Sequence, residues 1–260
     1  MVAIANHQVL PSATLKEIRS CVGDLLTKCN IQYTVTSFDS AFVDACIQDA
    51  QRRGCPLAPI ETQPEVLKRS SCAASSWESG PEWALDAHQL PSIRPKVIEG
   101  ACIAATAYKH VTDERIKVYI ALYTAVLIYL EDYMQDDASI QLIAEFTTRF
   151  AKRQPQVHPV LSAFADILRD AHDLFAPVAA NLIVTSGLSF VTAVWLEHGM
   201  DKLQLNPDSL TVPEYARRLS GSAEAYAVFI FAQDTSPADY VQALPDIVTV
   251  INYTKYVTRY

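Results

Sequence analysis

Glycine is scarce, with only 7 in 260 residues. That argues against a turn-rich β sandwich and against Gly-rich loops that cradle phosphate. Positive charge is also short: 21 Lys and Arg stand against 29 Asp and Glu, for a formal net charge of −8. Nucleic acid is therefore not an expected partner, because its backbone rewards clustered Lys and Arg. Charged residues make up 19% of the chain and hydrophobic residues 50%, a globular composition rather than a disordered one. The six cysteines (Cys21, Cys29, Cys46, Cys55, Cys72 and Cys102) form no C-x-x-C pair, and no His stands at zinc-finger spacing. They read as reduced thiols of a cytoplasmic protein. The first residues, MVAIANHQVLPSATLKE, lack the basic start and apolar core of a secretory signal. The longest weakly polar stretches, 121–130 and 182–196, fall short of a membrane span, so no stable membrane anchor is expected.

What is present is helical periodicity. Leu15, Ile18, Val22, Leu25 and Leu26 predict a first amphipathic helix, and Phe42, Val43, Cys46 and Ile47 a second over 40–53. Pro56, Pro59 and Pro64 then break the chain, and residues 70–91, small, polar and Pro-containing, read as a long loop. A helix over 97–110 carries Ile98, Cys102, Ile103 and Ala107 on one face. Thr112 can cap the next helix, and Asp137 or Asp136 a further one over 138–152. Helices over 159–175 and 177–198 follow, the second apolar along most of its length and so buried on several sides. Thr211-Val-Pro-Glu214 is a capping-box pattern launching a helix over 215–233. The tail, DIVTVINYTKYVTRY, favours a strand by propensity alone. No partner strand exists in the pattern, so a buried helix is expected. The chain reads as one all-α domain over 1–260.

The stretch 118–137, VYIALYTAVLIYLEDYMQDD, organises the rest. It brings Glu131, Asp132, Asp136 and Asp137 to a helix C-terminus, the negative end of the macrodipole. Asp132 and Asp136 are four apart, where like charges on one helix face repel. A bound cation would relieve both costs. Read in isolation, the same acids serve as a helix end and a cap.

Three stretches decide between these readings: ALYTAVLIYLEDYMQDD, NLIVTSGLSFVTAVWLEHGM, and PEYARRLSGSAEAYAVFIF followed by ALPDIVTVINYT. In order and spacing they resemble the fungal class I terpene cyclases of the trichodiene synthase family, over about residues 98–254. The resemblance implies an all-α, class I terpene synthase-like bundle that binds an isoprenoid diphosphate, usually farnesyl diphosphate, and ionises it with Mg²⁺ in sesquiterpene biosynthesis, a branch of secondary metabolism. Mg²⁺ prefers carboxylate and phosphate oxygens, and arginine adds bidentate donors. By the same resemblance Glu131 and Asp132 take the places of the paired aspartates, with Glu replacing the first Asp, and Asp136 or Asp137 that of the later acid. Arg217 matches the diphosphate-sensing arginine and Arg218 its neighbour. Tyr123, Phe190 and Trp195 are candidate pocket residues.

The family's second metal motif, N-D-x-x-S-x-x-x-E, follows a stretch like INYT. Here Lys255 stands where its asparagine belongs, and the chain continues only through Tyr-Val-Thr-Arg-Tyr260. Lysine has the wrong charge and no acceptor for a metal. The expectation is a C-terminally incomplete bundle, impaired in catalysis and inclined to self-association through uncovered apolar faces. Lys-Tyr-Val is compatible with AAG TAT GTA, which contains a fungal-type splice donor, so the tail can also be read as unspliced intron. The alternative function is that of a non-catalytic helical remnant of a cyclase.

Overall fold

The structure, a computed structural model, describes residues 39–57, 90–134, 136–200, 211–232 and 236–259. These belong to one unit, Asp39–Tyr260. The first predicted helix, most of the loop at 70–91, and Cys21, Cys29 and Cys72 lie outside the described residues.

Among the described residues every regular element is a helix. In chain order they are α1 (Ser40–Arg52), α2 (Arg94–Ala107), α3 (Glu114–Tyr133), α4 (Asp137–Ala151), α5 (Pro159–Leu174), α6 (Pro177–Met200), α7 (Val212–Ser220), α8 (Ala223–Phe229), α9 (Pro237–Tyr240) and α10 (Leu244–Arg259). The all-α expectation holds. Helix α3 is the central rod, with α2 along one side and α5 and α6 on others. Its middle, from Tyr119 to Leu127, is buried without interruption. That burial explains why its sequence shows so little amphipathic patterning.

The close partnership of α2 and α3 depends on small side chains. The face that α2 buries fully carries Val97, Gly100, Ala101 and Ala104; of the apolar face read from the sequence, Ile98 packs partly buried against the core, Cys102 is half-buried, and Ile103 and Ala107 are exposed. Bulk was the misleading signal. A Cβ at Gly100 would meet the Ala121 carbonyl group and lie 3.2 Å from the Ala125 nitrogen, so only glycine lets the two backbones approach this closely. Ile103 and Ala107 are consequently left facing elsewhere, to an end described below.

An aromatic cluster fills the space between α3, α5 and α8. Tyr123, fully buried, meets Phe229 edge-on at 5.5 Å and Tyr226 at 6.2 Å, and is tilted against Phe164 at 5.8 Å. Such pairs each add about 0.5–1.5 kcal/mol beyond the area they bury.

Helix ends differ from the sequence reading in instructive ways. Asp113, not Thr112, caps α3 by accepting the Arg115 amide at 2.8 Å. Of the two acids offered for the role, Asp136 caps α4. Thr211 precedes α7 without a side-chain capping bond. The single helix expected over 215–233 is broken between α7 and α8, where Ser222 adopts φ +46°. The break brings Gly221 against Asn252 of α10. The tail is helical, as preferred over the strand reading, but between Asp246 and Tyr253 no side chain is buried: Val250 and Tyr253 are largely exposed, Tyr253 by 65%.

Helix α6 is long and apolar enough, by length and composition, to cross a membrane. The stretch 182–196, too short for a span by itself, is only part of it. Half of its most apolar window is buried in the fold, with Ala180, Ile183, Gly187, Phe190 and Val194 turned inward. These are the contacts of a helix at the centre of a bundle.

Candidate functional site

One stripe of α3 leaves the core and lines a cavity of about 450 Å³. Its residues are Thr124, Leu127, Ile128 and Glu131, spaced i, i+3, i+4 and i+7, so a single helix face presents them all. Ile103 and Ala107 of α2 face them, together with Tyr108 just beyond the helix. Phe190 of α6, Tyr226 of α8, Ile230 and Ile251 of α10 complete the apolar wall, and Arg217 and Ser220 of α7 supply the remaining polar groups. Glu131 and Arg217, an anion and a cation from different helices, are both half-buried in the wall of one mostly apolar cavity.

The aromatic groups in this wall are neutral at any ordinary pH. Burial pushes the Tyr226 phenol up to about 12, with the hydrogen bond to Thr124 opposing. Its hydroxyl donates to Thr124 Oγ1 at 3.3 Å. Tyr108 donates to the Tyr226 carbonyl at 3.0 Å and is likewise raised by burial. These bonds hold the two rings against the cavity.

The acids of the 118–137 stretch do not converge. Adjacent helical positions point about 100° apart, so Glu131 faces the cavity while Asp132 faces α2. Asp132 is paired with Lys96 Nζ at 2.6 Å. Asp136 lies beyond the end of α3, so the expected four-apart repulsion with Asp132 does not arise. It accepts the amides of Ala138 at 3.0 Å and Ser139 at 2.9 Å, and the Ser139 hydroxyl at 2.6 Å. Burial opposes, but these bonds hold its carboxyl below the usual carboxylate range. Asp136 thus sits at a helix N-terminus, where the macrodipole favours it. Asp137 meets His198 Nε2 at 2.8 Å, tying α4 to the end of α6. Among the described residues no three His, Cys, Asp or Glu side chains are placed to hold one metal ion.

The other candidates divide. Phe190 lines the cavity. Tyr123 belongs to the aromatic core, and Trp195 is 52% exposed and outside the cavity wall. Arg218 is exposed and faces a neighbouring groove, which Arg217 borders as well. A larger cleft of about 650 Å³ lies between α1, α3 and α5. Its walls are charged, and Arg53 bridges Asp49 at 2.8 Å and Asp170 at 2.7 Å, so it does not suit a hydrocarbon. The sequence reading missed Ile103, Thr124, Leu127, Ile128 and Tyr226 as cavity residues. The stripe ending at Glu131 was the available signal. Lys96 carried none.

The described residues thus form a helical fold with a mostly apolar cavity that has an arginine and a carboxylate in its wall. Residues 93–256 match the family model described as Trichodiene synthase (TRI5), and the chain belongs to that family. It is 30% identical over 238 residues to alpha-cuprenene synthase COP6 of Coprinopsis cinerea, covering 92% of this chain and 64% of that protein. It is 39% identical over 153 residues to terpene synthase BipA of Cochliobolus sativus, covering 57% and 46%. Identity to the (E)-beta farnesene synthase of Metarhizium brunneum is 29% over 169 residues, covering 63% and 50%. The chain thus spans about half to two thirds of the length of these relatives.

Proposed function

We propose that the cavity binds an isoprenoid diphosphate of sesquiterpene size, such as farnesyl diphosphate. The isoprenoid chain lies among Ile103, Leu127, Phe190 and Tyr226, and the diphosphate sits toward Arg217. The observation that carries this reading is that the α3 stripe lining the apolar cavity ends at Glu131, in a wall shared with Arg217. Arginine is the side chain suited to bidentate recognition of phosphate. Loss of diphosphate from an allylic substrate leaves a carbocation, and Tyr108, Phe190 and Tyr226 offer π faces to stabilise it. Their neutral state and the apolar wall keep water, the competing nucleophile, at low density.

Mg²⁺ belongs to the chemistry of this family and, when bound, neutralises the departing diphosphate. The acids as they stand do not fit it: Asp132 is engaged by Lys96, Asp136 caps α4, and Asp137 meets His198. Lys255 stands where the resemblance expects an asparagine ligand. We therefore propose that the chain binds its substrate more readily than it ionises it. The divergence of the acids also favours the second reading, a cyclase relative that binds without turnover.

Diphosphate release from farnesyl diphosphate in the presence of Mg²⁺ separates the two. Slow release that Arg217→Gln removes supports an impaired cyclase. Release from neither chain, with binding retained, supports the non-catalytic reading.

A further inference from the structure

The acidic end of α3 already has a cation. Lys96, in the first turn of α2, has a side chain only 12% exposed and places Nζ 2.6 Å from Asp132 Oδ2 and 3.2 Å from Glu99 Oε1. The ammonium also sits 5.9 Å from the centre of the Tyr133 ring. An ammonium donates in three directions; here two carboxylates accept from it, and the Tyr133 ring lies at the outer reach of a cation–π contact. The arrangement meets both demands of this helix end: the negative pole of the macrodipole and the carboxylate beside it are balanced from within the chain.

We propose that Lys96 is a positioning residue that occupies Asp132 in place of a divalent metal ion and leaves Glu131 as the only acid of the cluster facing the cavity. The bridge is short and its ammonium is largely screened from solvent, while the Asp132 carboxylate is 42% exposed and within reach of a cation from solution. A divalent cation approaching Asp132 must either displace the ammonium or accept a positive charge next to it. Either requirement weakens binding.

This inference rests on the family's metal chemistry at this helix end but not on turnover, so it is tested with Mn²⁺ alone, by calorimetric titration of the full chain without isoprenoid. Lys96→Met is expected to tighten Mn²⁺ binding by about tenfold or more, or to make it measurable where the parent chain shows none. Lys96→Arg keeps the bridge and is expected to match the parent. Adding Asp132→Asn to Lys96→Met should abolish the gain. Unchanged or weaker affinity in Lys96→Met overturns the proposal. If that variant does not fold, Asp132→Asn alone decides: affinity equal to the parent's supports an acid already occupied, and a loss of affinity overturns it. Absence of farnesyl diphosphate binding would sink the functional reading without touching these affinities.

Discussion

Gly100 is the residue on which the α2–α3 seam depends most sharply, and Gly100→Ala adds one methyl group to it. The new Cβ would lie 3.1 Å from the Ala121 carbonyl carbon and 3.2 Å from the Ala125 nitrogen, and closer still to the Ala121 oxygen. All three are backbone atoms, so no rotamer change relieves the overlap and the helices must part. Alanine gains about 1 kcal/mol of helix propensity over glycine. Overpacking of this kind costs roughly 1–3 kcal/mol. Parting the seam by roughly 0.5–1 Å forfeits a quarter to a half of each dispersion contact along it, roughly a further 1–2 kcal/mol. The net expectation is a loss of about 1–4 kcal/mol, read as a lower urea midpoint with an unchanged slope. Gly199 is the control, because a methyl group added there would have nothing within 4 Å. Gly199→Ala should be neutral or stabilising by up to about 1 kcal/mol. A Gly100→Ala chain as stable as the parent would refute the packing argument.

Two further perturbations test the residues at the N-caps of α5 and α4. His158 is buried, accepts the Val160 amide on Nδ1 at 3.2 Å, and is lowered by burial from 6.5 to about 4. The unfolded chain therefore takes up a proton first. The contribution is complete above pH 6.5 and is lost as pH falls toward 4, by roughly 3 kcal/mol in total. Urea unfolding of the parent and of His158→Asn across that interval should show the steeper loss in the parent, with the carboxylate contribution common to both. Asp136→Ala should cost about 1 kcal/mol of stability through the lost cap, whereas Asp136→Ser should recover most of it. The same melting series read with and without Mn²⁺ should show no metal-dependent difference between these two variants.

The fold was largely legible because helical spacing survives in amphipathic segments such as 40–53 and 159–175. Legibility failed where side-chain size, not polarity, decides the packing. The sequence puts Ile98, Cys102, Ile103 and Ala107 on one apolar face of α2, yet the helix turns Gly100, Ala101 and Ala104 fully inward, leaves Ile98 partly buried against the core and gives Ile103 and Ala107 to the cavity. The α7–α8 break is invisible to periodicity, since Ser222 reaches φ +46° under tertiary constraint. Within the site, the residue types of Arg217, Glu131 and Phe190 suit the chemistry and mark them out. Trp195 and Tyr123 suit it equally by type, but one faces solvent and the other the core. The divergence of the acids follows from geometry: α3 ends at Tyr133, so Asp136 belongs to the next helix. The partner of Asp132, Lys96, lies far earlier in the chain, and only the packed fold brings it there.

Equilibrium binding of farnesyl diphosphate, followed by calorimetry in the absence of metal, tests the central claim most directly. The parent chain should bind. Arg217→Gln, which removes a charge-assisted bond worth about 1.5–3 kcal/mol, should weaken binding by roughly tenfold to a hundredfold. Ile103→Trp, which fills the cavity opposite Leu127, should weaken it without altering the helical content, while Arg218→Gln should leave it nearly unchanged. Binding that is absent in the parent, or equally strong in Arg217→Gln and Ile103→Trp, would contradict the assignment of this cavity.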